Sequence, residues 1–321
     1  YADVIVGAPY YDNGETDEGA AFLFFGSGGG LSTVAAWKVE SDQEEAYLGA
    51  SVAGAGDVNG DGFDDVIVGA SYYDGVWEDQ GYVYVYHGSA SGLPTTPDWT
   101  SYDNQGAAYF GSRVAGAGDV NADGYDDVLV AASFHDNGQI DEGRVYLFVG
   151  SADGLSVGAP WTAESDQYYA YFGASVAGVG DINGDGHDDV LVGAPYAENG
   201  QSDEGQAFLF LGTDTGLAAT AAWTGEGGQD TAYFGAGRSM FLDGGRKLYR
   251  LNANTAEVLS CTNLTDIEEE TGKDMLSFSG QLNMPVALPD ILSCDEKHVY
   301  MHSQPFDFDG KRLPLKPWAY E

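Results

Sequence analysis

The sequence predicts an all-β chain, a β-propeller of four-stranded blades with about 62 residues per repeat. Three observations predict it. Short motifs recur at one fixed interval, each interval holds four strand-like runs, and no helical period is visible before residue 240.

The interval comes first, because a fixed period decides architecture before any local propensity does. Tyr47-Leu48-Gly49, Tyr109-Phe110-Gly111, Tyr171-Phe172-Gly173 and Tyr233-Phe234-Gly235 are spaced by 62 residues, as are Trp37, Trp99, Trp161 and Trp223. Gly7-Ala8-Pro9 recurs in register as Gly69-Ala70-Ser71, Ala131-Ala132-Ser133 and Gly193-Ala194-Pro195. Within one unit the predicted strands are Ala50 to Gly56, Asp65 to Ala70, Tyr82 to His87 and a shorter run around Trp99. Val, Ile and Tyr suit a pleated, half-buried surface, and the Gly, Asp and Asn clusters between runs supply turns. The first strand is poorest in bulk and is expected to pack tightly around a central axis. A solenoid of stacked units is the competing architecture.

Composition narrows the partners. The 321 residues hold 51 acidic and 12 basic side chains, a formal charge of -39, which disfavours nucleic acid or an anionic membrane and favours cations. No apolar run approaches the ~18 residues of a membrane-spanning helix, so no membrane insertion is expected. The chain opens without a leader, and a mature or truncated product is expected.

Each repeat then places a crowd of carboxylates in nine residues: Asp57 to Asp65, Asp119 to Asp127 and Asp181 to Asp189. At short range and an effective dielectric near 20, each like-charge pair costs roughly 4 kcal/mol, so a positive charge is expected among them. Oxygen side chains fall at positions 1, 3, 5 and 9 with Gly at position 6, and position 7 offers a backbone carbonyl. That donor set suits a hard dication needing six to eight oxygens, calcium better than magnesium. An EF-hand would need a bidentate Glu at position 12, where this chain has Val68, Val130 and Val192. Asn-Gly-Asp-Gly is also plain hairpin chemistry, but three copies that keep the oxygens while position 4 drifts to Ala122 favour a metal. The Asp residues at position 8 (Asp64, Asp126 and Asp188) are expected to point outward, and His187 to offer only its carbonyl. A second acidic stretch, Asp12 to Glu18 with counterparts Asp136 to Glu142 and Glu198 to Glu204, reads as a solvated loop rather than a second metal site, the alternative, because its oxygen spacing is lost in the Asp74 to Gln80 copy.

Phe-Gly followed by Gly-Ala-Pro, with D-x-N-x-D-G-x-x-D between, resembles the FG-GAP repeat of the integrin α-subunit propeller and its bacterial relatives, over residues 1 to about 237. The resemblance implies a propeller, usually seven-bladed, with calcium-binding hairpin loops between the first and second strands. It implies an extracellular or cell-surface module that acts in adhesion or ligand binding rather than catalysis. Carried over, it implies about three Ca2+ sites: Asp57, Asn59, Asp61, the Phe63 carbonyl and Asp65; Asp119, Asn121, Asp123, the Tyr125 carbonyl and Asp127; Asp181, Asn183, Asp185, the His187 carbonyl and Asp189. Asp3 matches position 9 of a loop whose other members are not in this chain.

The pattern stops after Gly235. Residues 1 to 237 carry 3 basic and 38 acidic side chains, residues 238 to 321 carry 9 and 13, and all four Met and both Cys fall in the second part. A boundary at 237/238 is therefore expected, with 238 to 321 a divergent β segment that completes or follows the propeller. "GGRKLYRLNANTAEVL" distantly resembles the repeat of pyrroloquinoline-quinone-type propellers, but Ala256 and Ser260 replace its Gly and Trp, so cofactor binding does not follow. An Asp309-Gly310 turn, a Cys261–Cys294 disulfide or two free thiols, and a glycosylation acceptor at Asn263-Leu264-Thr265 are further readings of this part.

The five His share no spacing and no nucleophile-base pair stands out. The function expected is a non-catalytic calcium-binding module for a protein or glycan partner. A cofactor- or glycan-processing propeller enzyme and an architectural subunit of an extracellular assembly are the alternatives. The aromatics Tyr72, Tyr73, Trp77, Phe134 and Tyr196 read either as a ligand rim or as loop packing.

Overall fold

A computed structural model describes residues 1–200 and 203–226, and beyond them only the backbone of the strands Thr231–Ala236, Arg246–Asn252, Val258–Leu264, Leu292–Cys294, Val299–Met301 and Gln304–Phe306. The chain divides into two units, Tyr1–Glu226 and Gly227–Glu321. The expected boundary at 237/238 and the Asp309-Gly310 turn lie outside the described residues, and so do the side chains of Cys261, Cys294 and Asn263.

The first unit is all-β, a series of antiparallel sheets in sequence order. Three have four strands: Ser51–Gly56, Asp65–Ala70, Tyr82–Tyr86 and Trp99–Tyr102; Arg113–Gly118, Asp127–Ala132, Arg144–Phe148 and Trp161–Glu164; Ser175–Gly180, Asp189–Ala194, Gln206–Phe210 and Trp223–Glu226. A three-stranded sheet, Val4–Ala8, Ala20–Phe24 and Trp37–Glu40, precedes them and corresponds to the second to fourth strands of a repeat. These repeated sheets are consistent with propeller blades of about 62 residues. In the second unit, two three-stranded sheets are described. There Tyr233-Phe234-Gly235 lies inside a strand, whereas Tyr109-Phe110-Gly111 precedes one, so the repeat register ends before the fourth copy of the motif. Among the described residues no helix is long and apolar enough to cross a membrane.

The repeated motifs are the contacts between successive sheets. Leu48, Phe110 and Phe172 are buried to 3%, 1% and 1% exposure, and the Phe110 ring meets Tyr146 edge-on at 5.2 Å. The following Gly111 has φ +84 and donates its N–H to the Ala131 carbonyl, while its own carbonyl lies where a Cβ on Gly69 would come within 2.2 Å. The Gly of one repeat's Gly-Ala-Pro segment thus takes the next repeat's Phe-Gly turn at backbone contact, which only a residue without Cβ permits. Neighbouring first strands also approach closely: a Cβ on Gly116 would stand 2.8 Å from the Gly54 carbonyl. That accounts for their small residues.

Three of the fourth-strand Trp residues dock on the next sheet. Trp37, Trp99 and Trp161 donate their indole N–H to the carbonyls of Pro94, Ser156 and Ala218 at 2.6, 3.2 and 3.0 Å, each 57 residues ahead. Their rings meet Tyr86, Phe148 and Phe210 edge-on at 5.0, 4.9 and 5.0 Å. At the second junction a carboxylate also joins the sheets: the Asp103 carboxylate accepts from His135 Nδ1 at 2.6 Å and from the Tyr146 hydroxyl at 2.8 Å. Burial works to raise the Asp103 carboxyl, but the bonds and charge attraction from His135, with Tyr146, hold it below the usual carboxylate range.

Two outcomes are expected in chemical denaturation. Trp37→Phe keeps the ring and loses the donor, costing about 1 kcal/mol, whereas Trp37→Ala costs about 3 to 5 kcal/mol. Asp103→Asn removes a carboxylate whose folded pKa is depressed, so its stability deficit against the wild type is full above the unfolded value of about 3.9 and vanishes as pH falls through the lower folded value.

Candidate metal centre

The three acidic loops join the first and second strands, at the end of the sheets opposite the Phe-Gly and Gly-Ala-Pro contacts. Each opens at a β-bulge, between Gly54 and Gly56 in the first copy and at the equivalent glycines in the others.

The predicted ligand residues share one hydrogen-bonded form. Asp57 accepts the N–H of Asp61 at 3.0 Å on one carboxylate oxygen and that of Gly62 at 2.8 Å on the other; Asn59 Oδ1 also accepts from Asp61, and Asp61 Oδ1 accepts from Phe63. Asp119, Asn121 and Asp123, with Tyr125 N–H, repeat this at 2.8 to 3.1 Å, and so do Asp181, Asn183 and Asp185 with His187 N–H. Ala122 even keeps a left-handed φ of +57 where the flanking loops have Gly60 and Gly184, at a steric cost the glycines avoid.

The position-9 residues behave differently. Asp65, Asp127 and Asp189 are fully buried. Asp65 accepts the N–H of Val58 at 3.0 Å and of Gly88 at 2.7 Å, so it closes the base of the loop and ties it to the third strand's end. Asp127 does the same with Val120 and Gly150, and Asp189 with Ile182 and Gly212. Asp3 accepts from Gly26 in the same manner, so this position has a structural duty apart from any metal. Burial, only partly offset by those N–H donors, pushes the Asp65 carboxyl up to about 6 and that of Asp127 up to about 7.

Among the described residues no three His, Cys, Asp or Glu side chains converge on one point, so the predicted ligands share a loop without forming a finished cage. The donor set nonetheless fits calcium. It is all oxygen, and the turn bonds occupy one acceptor site on each of the two Asp57 oxygens, leaving a second lone pair on each. Asp57, Asn59, Asp61, Asp65 and the Phe63 carbonyl would hold the ion in the first loop, and their equivalents in the other two.

At position 8, Asp64 is exposed as expected, but Asp126 and Asp188 are not. Asp126 does not point to solvent: its Oδ2 accepts the N–H of Asp57 in the preceding loop at 2.8 Å, and Asp188 does the same for Asp119 at 3.1 Å. Backbone bonds from Asp126 N–H to the Asp57 carbonyl and from Asp188 N–H to the Asp119 carbonyl run beside them. The bulge glycines make room, since a Cβ on Gly56 would meet Asp126 Oδ2 at 2.1 Å. Tyr125, read for its carbonyl, also covers the preceding loop, its ring lying where a Cβ on Gly60 would stand at 2.6 Å. The His187 ring lies 3.2 Å from Asp185 and 3.1 Å from Asp214. Burial acts to lower its pKa, but the two carboxylates outweigh that and raise it.

The second acidic stretch is not wholly solvated either. Asp12, Asp74 and Asp136 each accept the N–H five residues on at 2.7 Å, so the loop form survives in the drifted copy, and Glu18, Gln80 and Glu142 at its end are buried to 2%, 0% and 0% exposure. The period gave no sign of that burial.

Comparison with known proteins follows the same segments. The FG-GAP repeat family model matches residues 48–86, 110–148 and 172–210, each span enclosing one acidic loop. Residues of the chain are 32% identical to integrin alpha-5 of Xenopus laevis over 167 positions, 49% of this chain and 16% of that protein. They are 32% identical to integrin alpha-8 of Mus musculus over 205 positions, 61% of this chain and 18% of the other. With human integrin alpha-IIb the identity is 41% over 119 positions, 35% and 11% of the two chains. The chain thus spans less than a fifth of the length of these relatives. A rhamnogalacturonan lyase of Bacillus licheniformis superposes at a TM-score of 0.37 with 10% identity, covering 97% of this chain and 70% of that one; so low a score carries no argument.

If position 8 couples the loops, Asp126→Ala strands the Asp57 N–H and costs about 1 to 2 kcal/mol in chemical denaturation. Asp64→Ala, at the equivalent place with no preceding loop in the chain, stays within about 0.5 kcal/mol of wild type. The three acidic loops sit in three FG-GAP repeats, and the segment that carries them is integrin-α-like.

Proposed function

We propose that the chain is part of a calcium-binding β-propeller that acts as a non-catalytic binding or adhesion module, outside the cell, for a protein or glycan. The observation that carries this reading is the identical folded form of three loops rich in oxygen donors, joined in series by Asp126 and Asp188. Calcium in each loop would neutralise carboxylates that now face one another across neighbouring repeats, so metal binding and the packing of sheet on sheet would support each other. Residues 238 to 321 are proposed to complete or follow the propeller. The integrin-α likeness supports the binding role, and the chain's strongly acidic surface supports a cation-rich, extracellular setting.

Thermal unfolding in calcium, in magnesium and in chelator tests this. A dication bound to the native state alone adds about 2.7 kcal/mol per site at a hundredfold excess over Kd. Calcium is expected to raise the midpoint by many degrees over chelator, with magnesium recovering little of it, and Asp57→Ala, Asp119→Ala and Asp181→Ala each lowering the calcium stoichiometry by one site. Equal midpoints in calcium and chelator would refute the reading.

A further inference from the structure

At the end of the sheets opposite the acidic loops, a cavity of about 580 Å3 lies between the sheet that begins at Arg113 and the one that begins at Ser175. Its lining includes Arg113, Phe134, Tyr169, Tyr171, Tyr196 and Asp203. Two of these residues break the repeat. Arg113 stands where the neighbouring repeats have Ser51 and Ser175, and Tyr169 where they have Glu45 and Ala107. Glu45, Ala107 and Tyr169 hold φ of +57, +55 and +58, so the backbone form is common to all three and Tyr169 places a bulky aromatic in the left-handed region. Departures from a repeat that converge on one cavity, one of them at a strained position, point to a function specific to that cavity.

Charge says what kind. The first 237 residues carry three cations. Lys38 is held by Glu40 at 2.5 Å and Arg144 by Glu164 at 2.6 Å. Of these three, Arg113 alone has no carboxylate at ion-pair distance among the described residues; one guanidinium nitrogen donates to the adjacent Ser112 carbonyl. In a segment so acidic, a guanidinium left unpaired at an aromatic-walled cavity is placed for an anion from outside.

We propose that this cavity binds a uronic acid residue of a glycan, with the sugar carboxylate on Arg113. Guanidinium offers a carboxylate a bidentate, charge-assisted pair. The Phe134, Tyr169 and Tyr196 rings, exposed to 38%, 51% and 49%, offer apolar surface to the C–H face of a pyranose, and Asp203 offers acceptors to its hydroxyls. An acidic peptide side chain would use Arg113 but leave the rings bare, and Asp203 would repel a flanking carboxylate. The net charge of -39 likewise opposes a polyanion, so a single uronate in an otherwise neutral glycan is the ligand class. This assignment rests on the binding-module reading above.

The test is calorimetric titration of the full chain in calcium with a glucuronic-acid-terminated disaccharide, the same disaccharide reduced to its neutral glucose form, and an acetylated Glu-containing peptide. The uronate is expected to bind at least about tenfold more tightly than the neutral sugar. Arg113→Ser should abolish that preference and leave the neutral sugar unchanged, while Tyr169→Ala weakens both sugars. Both substitutions install residues that other repeats carry at the same place, and unchanged unfolding midpoints would verify the fold. Equal affinity for the two sugars, no binding of either, a preference that survives Arg113→Ser, or tighter binding of the peptide would each overturn the assignment. If the calcium-dependent midpoint shift persists in that case, the cavity assignment alone falls; if the shift is missing too, the module reading falls with it.

Discussion

Within residues 1–237, 38 acidic side chains meet 3 basic ones, so nearly every carboxylate that the fold draws inward must be matched by a backbone N–H or by a cation from solvent. The described structure shows the first solution at work. Asp57 and Asp61 accept from their own turn, Asp65 from the loop base and the third strand, Asp74 and Asp136 from residues five ahead. These bonds shape the loops but do not cancel charge. Carboxylates of one sign remain crowded in each loop and across neighbouring loops, which is the electrostatic situation a dication relieves.

The same constraint explains how the sheets are joined. With almost no cations available, the junctions between repeats use neutral contacts: Phe110 and Phe172 in the core, an indole N–H on a carbonyl 57 residues ahead, and backbone against backbone at glycine. Where a carboxylate does cross a junction it meets a donor, the backbone N–H of Asp57 for Asp126 and the side chains of His135 and Tyr146 for Asp103. Among the described residues these contacts run between successive repeats and are copied along the chain, so stability accumulates as interfaces are added. Residues that are not copied, Arg113 and Tyr169 among them, are free of that architectural duty.

Much of this was legible in the sequence, because the signals were periodic. Asp65 to Ala70 was read to the residue, and the first and third strands to within one. The nine-residue loops were legible since their oxygens recur at fixed offsets inside one hairpin. Asp126 and Asp188 were misread because the partner that engages them lies 69 residues away, in the preceding repeat, and spacing within one hairpin carries no trace of it. Burial of Glu142 was missed for a related reason: a carboxylate in an acidic stretch reads as solvated, and only the fold shows that Asn137 N–H and the neighbouring sheet enclose it. The pairing of Trp37 with Pro94 was likewise invisible, although the Trp period itself was plain.

On the proposed reading, each acidic hairpin becomes a calcium cage when the ion binds. Anomalous diffraction from crystals grown in ample calcium tests it most directly. A peak is expected in each of the three loops, ringed by six to eight oxygens at about 2.3 to 2.6 Å that include Asp57, Asn59, Asp61 and the Phe63 carbonyl or their equivalents. Three loops holding only water, with the carboxylates still turned onto their own backbone N–H groups, would contradict it.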